Sequence, residues 1–170
     1  MKNKRLKIAC CVFFSVMVCS LTSCSPSFDF DLDAATQKGV AVVDPYQEGW
    51  LTKLTQDEIA SRLGIESSLY QSSSVYTASK STSAYTVAGF QASENNQAEL
   101  SEAMETAKEQ IIASFNGFLP DQYEIAQNAV IKQYGDYFFL IVSDRNDEVI
   151  EAIETVIYPE RDPSSASEAA

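Results

Sequence analysis

The sequence predicts an α+β fold: a single antiparallel sheet of about four strands, arranged as two hairpins, with two to three helices packed on it. Three observations predict it. Residues 69–79 and 83–92 are rich in Tyr, Val, Thr and Ser and alternate polar with apolar, which suits two strands. Leu100, Met104, Ala107, Ile111 and Phe115 recur at spacings of four, three, four and four, one face of a long helix. Val130–Tyr134 and Tyr137–Val142 flank Gly135-Asp136, a two-residue hairpin turn in which glycine takes a positive φ without a Cβ clash.

In chain order, residues 1–7 carry Lys2, Lys4, Arg5 and Lys7 and no acid, and residues 8–21 hold neither a charge nor a proline. Basic residues followed by a short apolar run form a secretory signal. A spanning helix needs about 20 apolar residues, more than this run offers. Leu21-Thr22-Ser23-Cys24 then sets an apolar residue and two small ones before a cysteine. This order resembles the lipobox of bacterial lipoproteins, whose peptidase admits only small side chains beside the cut. The resemblance implies cleavage between Ser23 and Cys24, loss of residues 1–23, and a diacylglycerol thioether on Cys24. Two acyl chains, at about 0.8 kcal/mol per buried CH₂, anchor stably where one does not. The competing readings are an ordinary cleaved signal with a chance cysteine, or an uncleaved anchor. Cys10, Cys11 and Cys19 fall in the removed segment, so the mature chain is expected to hold neither a disulfide nor a free thiol.

Processing leaves eight basic residues against 24 acids, a net charge of −16. Nucleic acid is not expected as a partner, because it needs clustered Lys and Arg. An acidic body on a lipid anchor is expected to stand off from anionic lipid.

Residues 24–45 read as a tether, opened by Ser25-Pro26-Ser27 and charged by Asp29, Asp31 and Asp33. As flexible coil, such a segment reaches roughly 25 Å. Val40 to Val43 packs on the domain as an extended segment in this reading, and Phe28 and Phe30 lie either there or at the membrane interface. The α+β domain spans 46–158. Thr55 and Glu58 form a capping box for a helix whose apolar face is Ile59, Ala60 and Leu63, with Gly64 after it. Trp50, Leu51 and Leu54 either extend that helix or form an earlier turn. The two strands of 69–79 and 83–92 turn at Lys80-Ser81-Thr82. Asn96 and Glu99 cap the long helix, and Gly117 and Pro120 end it. Phe138 to Val142 is apolar throughout, as expected of a strand covered on both faces. Asp144 caps a last helix with Asp147 and Glu148 in its first turn and Val149, Ile150, Ile153, Val156 and Ile157 as its buried stripe, and Pro159 stops it. Residues 159–170 read as a disordered tail.

The lipobox, the long helix leading into Phe118-Leu119-Pro120 and Tyr123, and the stretch from Asn128 to Asp144 with its Tyr134-Gly135-Asp136-Tyr137 turn resemble a family of small Gram-positive bacterial lipoproteins known only as a domain of unknown function. The resemblance covers roughly residues 50–155. It implies secretion and lipid anchoring, and brings no activity or cofactor.

The chain has no histidine. That removes Ser-His-Asp and Cys-His nucleophiles and most transition-metal sites. There is no G-x-S-x-G, S-x-x-K, P-loop or G-x-G-x-x-G arrangement. The Asp29-Asp31-Asp33 run opens like a calcium loop, but position six is Ala34 and position twelve Val40, where Gly and Glu are needed. Helix capping accounts for Asp144, Asp147 and Glu148. No cofactor and no metal site are expected. Tyr70, Tyr76, Tyr85, Tyr134 and Tyr137 fall on expected strands. Tyrosines on an exposed sheet face bind peptides or glycans; otherwise they form half-buried cross-strand pairs. Tyr76, Tyr85, Tyr134 and Tyr137 are the candidate binding residues. The expectation is a lipid-anchored, extracytoplasmic, non-enzymatic module at the cell membrane with an envelope protein, peptide or glycan as partner. The alternatives are a carboxylate-dependent envelope hydrolase and an accessory subunit of a membrane complex.

Overall fold

Acidic residues that suggest a tether start a helix instead. In a computed structural model, which describes residues 28–44 and 49–161, the Asp31 side chain accepts the Ala34 N–H at 3.0 Å and caps helix α1, Leu32–Val43. Leu32, Ala35, Thr36 and Gly39, at i, i+3, i+4 and i+7, form its buried stripe. The expected tether is therefore corrected over most of its described length. Its aspartates cap and pair a helix, and Val40 to Val43 is helical rather than extended.

The remaining elements are β1 (Leu51–Lys53), α2 (Gln56–Leu63), β2 (Tyr70–Ala78), β3 (Thr86–Ala92), α3 (Gln97–Phe115), α4 (Pro120–Gln127), β4 (Val130–Tyr134), β5 (Tyr137–Val142) and α5 (Asn146–Ile157). The fold is mixed helix and sheet, with five strands in one open antiparallel sheet ordered β1-β2-β3-β5-β4. Both hairpins form, but the β2–β3 connection runs over 79–85 and is longer than the expected turn at Lys80-Ser81-Thr82, so Tyr85 precedes β3 instead of lying on it. Gly135 takes φ 61° in the β4–β5 turn, and all six residues of β5 are buried. The capping box at Thr55 and Glu58 forms, and Gly64 follows α2 at φ 67°.

Among the described residues five α-helices replace the expected two to three, and they cover both faces of the sheet. On one face Phe90, Phe138 and Leu140 pack with Ile59, Leu100 and Met104 of α2 and α3. On the other, Val87, Phe139 and Ile141 pack with Leu32 and Ala35 of α1 and Val149 and Ile153 of α5. Small residues set how close α1 comes. A Cβ on Gly89 of β3 would stand 2.5 Å from Thr36 Oγ1 and 2.9 Å from Leu32 Cδ1. On α1, a Cβ at Gly39 would meet Val149 Cγ1 of α5 at 3.0 Å.

Other elements differ from expectation in local ways. Trp50, Leu51 and Leu54 belong neither to a helix nor to a bare turn: Leu51 opens the edge strand β1, which pairs with β2 from Leu51↔Ala78 to Lys53↔Tyr76. Pro120 starts α4, where its missing N–H costs nothing. Asp144 does not cap α5; Ser143 Oγ accepts the Arg145 N–H at 2.7 Å just ahead of it. Asn96 precedes α3 but donates to Ser68 O instead of capping. Pro159–Arg161 form a single 3-10 turn. The signal segment, Ser23, Cys24, the expected domain start near Tyr46 and residues 162–170 lie outside the described residues.

Candidate functional site

The sheet has two unlike ends. At one end, where Gln91 pairs with Tyr137, Tyr134 and Tyr137 face each other across the hairpin. They are buried by aromatic neighbours. Phe28 lies 6.2 Å from Tyr134, and Phe30 lies 4.2 Å from Tyr137. The Tyr134 hydroxyl donates to Glu154 Oε1 at 2.7 Å. Burial first, and then that carboxylate, push the phenol well above the usual tyrosine range. Tyr70 is buried on the opposite face, 5.2 Å from Phe90.

At the other end, where Thr86 pairs with Val142, the chain leaves a hollow of about 430 Å³. Val43 closes α1 on one side of it, Gly49-Trp50-Leu51 leads into β1, Ala78 ends β2, and Ser79, Lys80, Ser83 and Tyr85 come from the β2–β3 connection. Its frame is fixed by hydrogen bonds. The buried Asp44 carboxylate accepts the Trp50 N–H at 3.0 Å, Ser79 N–H donates to Trp50 O at 2.8 Å, and the Ser79 hydroxyl donates to Gly49 O at 2.7 Å. Within that frame the Trp50 side chain stays 57% exposed. Burial and the nearby Asp144 carboxylate raise the Tyr85 phenol above its ordinary range. A second hollow of about 310 Å³ adjoins the first through Gly49 and Leu51 and is bordered by Gln37, Asp44 and Tyr76.

The four candidate tyrosines thus belong to the α1–α5 face but separate into two pairs. Tyr76 and Tyr85 border the adjoining hollows, and Tyr134 and Tyr137 stand at the far end among packed rings. Sequence reasoning missed Trp50, Ser79, Lys80 and Ser83. The one available signal was the chain's single tryptophan next to a glycine, Gly49, at φ 74°.

Two polar clusters are satisfied within the protein. Asp33 accepts from Lys53 Nζ at 2.5 Å, Ser74 Oγ at 2.6 Å and Gln37 Nε2 at 2.6 Å, tying α1 to β1 and β2. Lys53 and then Ser74 hold its carboxyl below the ordinary range. Lys53 also sits 5.6 Å over the Tyr76 ring. Arg145 pairs with Glu148 and donates to Val42 O at 2.9 Å, fastening the start of α5 to the end of α1. Among the described residues no group of three acidic or thiol side chains converges to hold a metal ion, and no helix is long and apolar enough to cross a membrane.

The arrangement is one antiparallel sheet with helices on both faces and an aromatic-edged hollow at one end. The chain belongs to the family described as a domain of unknown function, DUF4358, which matches residues 45–143, more than half of its length. No curated protein and no solved structure matches it.

Proposed function

We propose that this protein is a lipid-anchored lipoprotein on the extracytoplasmic face of the cell membrane, and that its domain is a non-enzymatic binding module with the Trp50 hollow as its ligand site. The address rests on Leu21-Thr22-Ser23-Cys24 behind a basic and then apolar start. The binding reading rests on one observation: a 57% exposed tryptophan held by a fixed backbone frame beside a mainly apolar hollow of about 430 Å³. Small-molecule and peptide sites run from about 300 to 1,000 Å³, with apolar walls and a few placed polar groups. Here Lys80, Ser79 and Ser83 supply those groups and Tyr85 a second ring. An aromatic pair with a lysine and hydroxyls at its rim suits a peptide or glycan segment of the envelope.

The address is tested by Cys24→Ala, which is expected to release the protein from the membrane fraction or to leave unprocessed precursor there; unchanged mass and membrane retention would contradict it. The site is tested with the intrinsic fluorescence of Trp50, the sole tryptophan. Titration with envelope peptides and glycan fragments should shift its emission, and Tyr85→Ala or Lys80→Ala should weaken that response. Emission that ignores every fragment, in a folded protein, refutes the assignment.

A further inference from the structure

Phe28, the first described residue, is already docked on the domain. Its ring lies edge-on to Tyr134 and to Tyr158, with centroids 6.2 and 6.0 Å away. Three residues, Ser25, Pro26 and Ser27, lie between it and Cys24, so four residue-to-residue steps join the two. An extended chain spans at most about 3.3–3.6 Å per residue, so this leash reaches roughly 14 Å. A coil of about 20 residues, as expected for a tether, would let the domain present any face to the membrane. A short leash fastened to an aromatic cluster does not.

The hollow lies at the opposite end. Helix α1 begins near the aromatic cluster, with Phe30 against Tyr137, and ends at Val43 on the wall of the hollow. Its 12 residues span about 18 Å. The seven residues of β3 run the same length of the sheet, about 20–24 Å, from Gln91 and Ala92 near Tyr137 back to Thr86 near the hollow. Among the described residues the two exposed large apolar side chains are at the far end: Trp50 at 57%, and Phe118 at 71%, just after Phe115, which borders the β2–β3 connection.

We propose that the lipid bilayer lies against the Phe28–Tyr134–Tyr158 end of the domain and that the Trp50 hollow faces away from the membrane. The proposal rests on acylation of Cys24 as read above. The leash, and not charge, sets this orientation. Asp29 and Asp136 flank Tyr137, and Glu154 meets Tyr134, so an anionic headgroup layer does not draw this end in. The membrane-facing end abuts the lipid without inserting, and Trp50 is presented to whatever lies beyond the bilayer.

The test uses the mature acylated protein in phosphatidylcholine vesicles that carry a nitroxide on the lipid headgroup. One reporter is Trp50 itself. Two others are bimane probes on Gln133→Cys, exposed beside the β4–β5 turn, and on Ser81→Cys, exposed in the β2–β3 connection. The Gln133 probe should lose most of its emission relative to unlabelled vesicles, while Trp50 and the Ser81 probe keep theirs. Replacing Phe28 and Phe30 by serine lengthens the leash and should erase the difference between the two ends. Quenching of Trp50 as strong as that of the Gln133 probe, or none at Gln133, overturns the orientation. Intact mass and flotation report separately on acylation: protein that lacks lipid on Cys24 and fails to float overturns the lipoprotein reading and this orientation with it.

Discussion

Gly89→Ala tests whether α1 is an integral layer of the fold. The added Cβ would stand 2.5 Å from Thr36 Oγ1, 2.9 Å from Leu32 Cδ1 and 3.0 Å from Phe139 Cε1. Carbon contacts are comfortable at about 3.5–4.0 Å, so something must move by roughly an ångström. Phe139 is fully buried inside the sheet, and Thr36 Oγ1 is committed to Leu32 O at 2.8 Å. The element with room to retreat is α1. Overpacking of this kind costs about 1–3 kcal/mol. The stiffer unfolded chain offsets about 0.4–1 kcal/mol of that. A net loss of about 1–2 kcal/mol is expected, against a typical total of about 5–15 kcal/mol. The urea midpoint followed by circular dichroism measures the loss, and hydrogen exchange locates it: the amides of α1 should lose protection before those of β3 and β5. Thr36→Ala removes the closest atom, so the double variant should be less destabilised than the two single changes summed. A Gly89→Ala protein as stable as its parent, with α1 equally protected, would refute the packing argument.

Other outcomes follow from the same geometry. The Asp33–Lys53 pair is partly exposed, so its net worth is modest, about 0.5 kcal/mol. Because the Asp33 pKa is lowered on folding, that contribution is present above the unfolded carboxyl pKa and fades as pH falls through the folded one. Asp33→Asn should therefore flatten the acid limb of stability below about pH 4, read from urea midpoints against pH, and leave the slope near neutrality unchanged. Thr55→Ala breaks the capping box and should cost about 1 kcal/mol by the same assay. Tyr134→Phe removes the bond to Glu154, with a loss of about 1 kcal/mol. In the parent protein, one tyrosine should ionise well after the others when absorbance near 295 nm is followed into alkali; uniform titration would contradict its burial.

The legible parts of the fold are those whose signal is local. The β4–β5 hairpin needs a glycine of positive φ between two apolar strands, and Gly135 supplies it. The capping box is complete within four residues, Thr55 to Glu58. The long helix α3 shows its apolar face at regular spacing over 19 residues. Helix α1 hides the same signal. Its buried stripe is Leu32, Ala35, Thr36 and Gly39, small or polar residues that no hydrophobic pattern detects. They are small because the partner surface is close, and that surface belongs to β3 and α5, more than 45 residues further on. The acids that suggested a solvated tether are a cap, Asp31, and a clasp, Asp33, whose partners Lys53 and Ser74 lie 20 and 41 residues further on.

The candidate site divides in the same way. Tyrosines on expected strands mark candidates for a sheet face, although the register shift between Tyr70 and Ser72 puts Tyr70 on the face opposite Tyr76. They do not say which are covered, since that depends on where α1, α5 and the Phe28–Phe30 segment come to rest. Tyr134 and Tyr137 are taken into the packing, while Tyr76 and Tyr85 stay at the hollows. The composition settles on its own terms that histidine-based chemistry is missing from this chain, because a side chain that is not encoded cannot be folded into place. The Thr55–Glu58 capping box and the β4–β5 turn were likewise determined locally, by groups a few residues apart. The seat of α1 and the hollow beside Trp50 were decided by tertiary structure alone, because each depends on the distance between surfaces far apart along the chain.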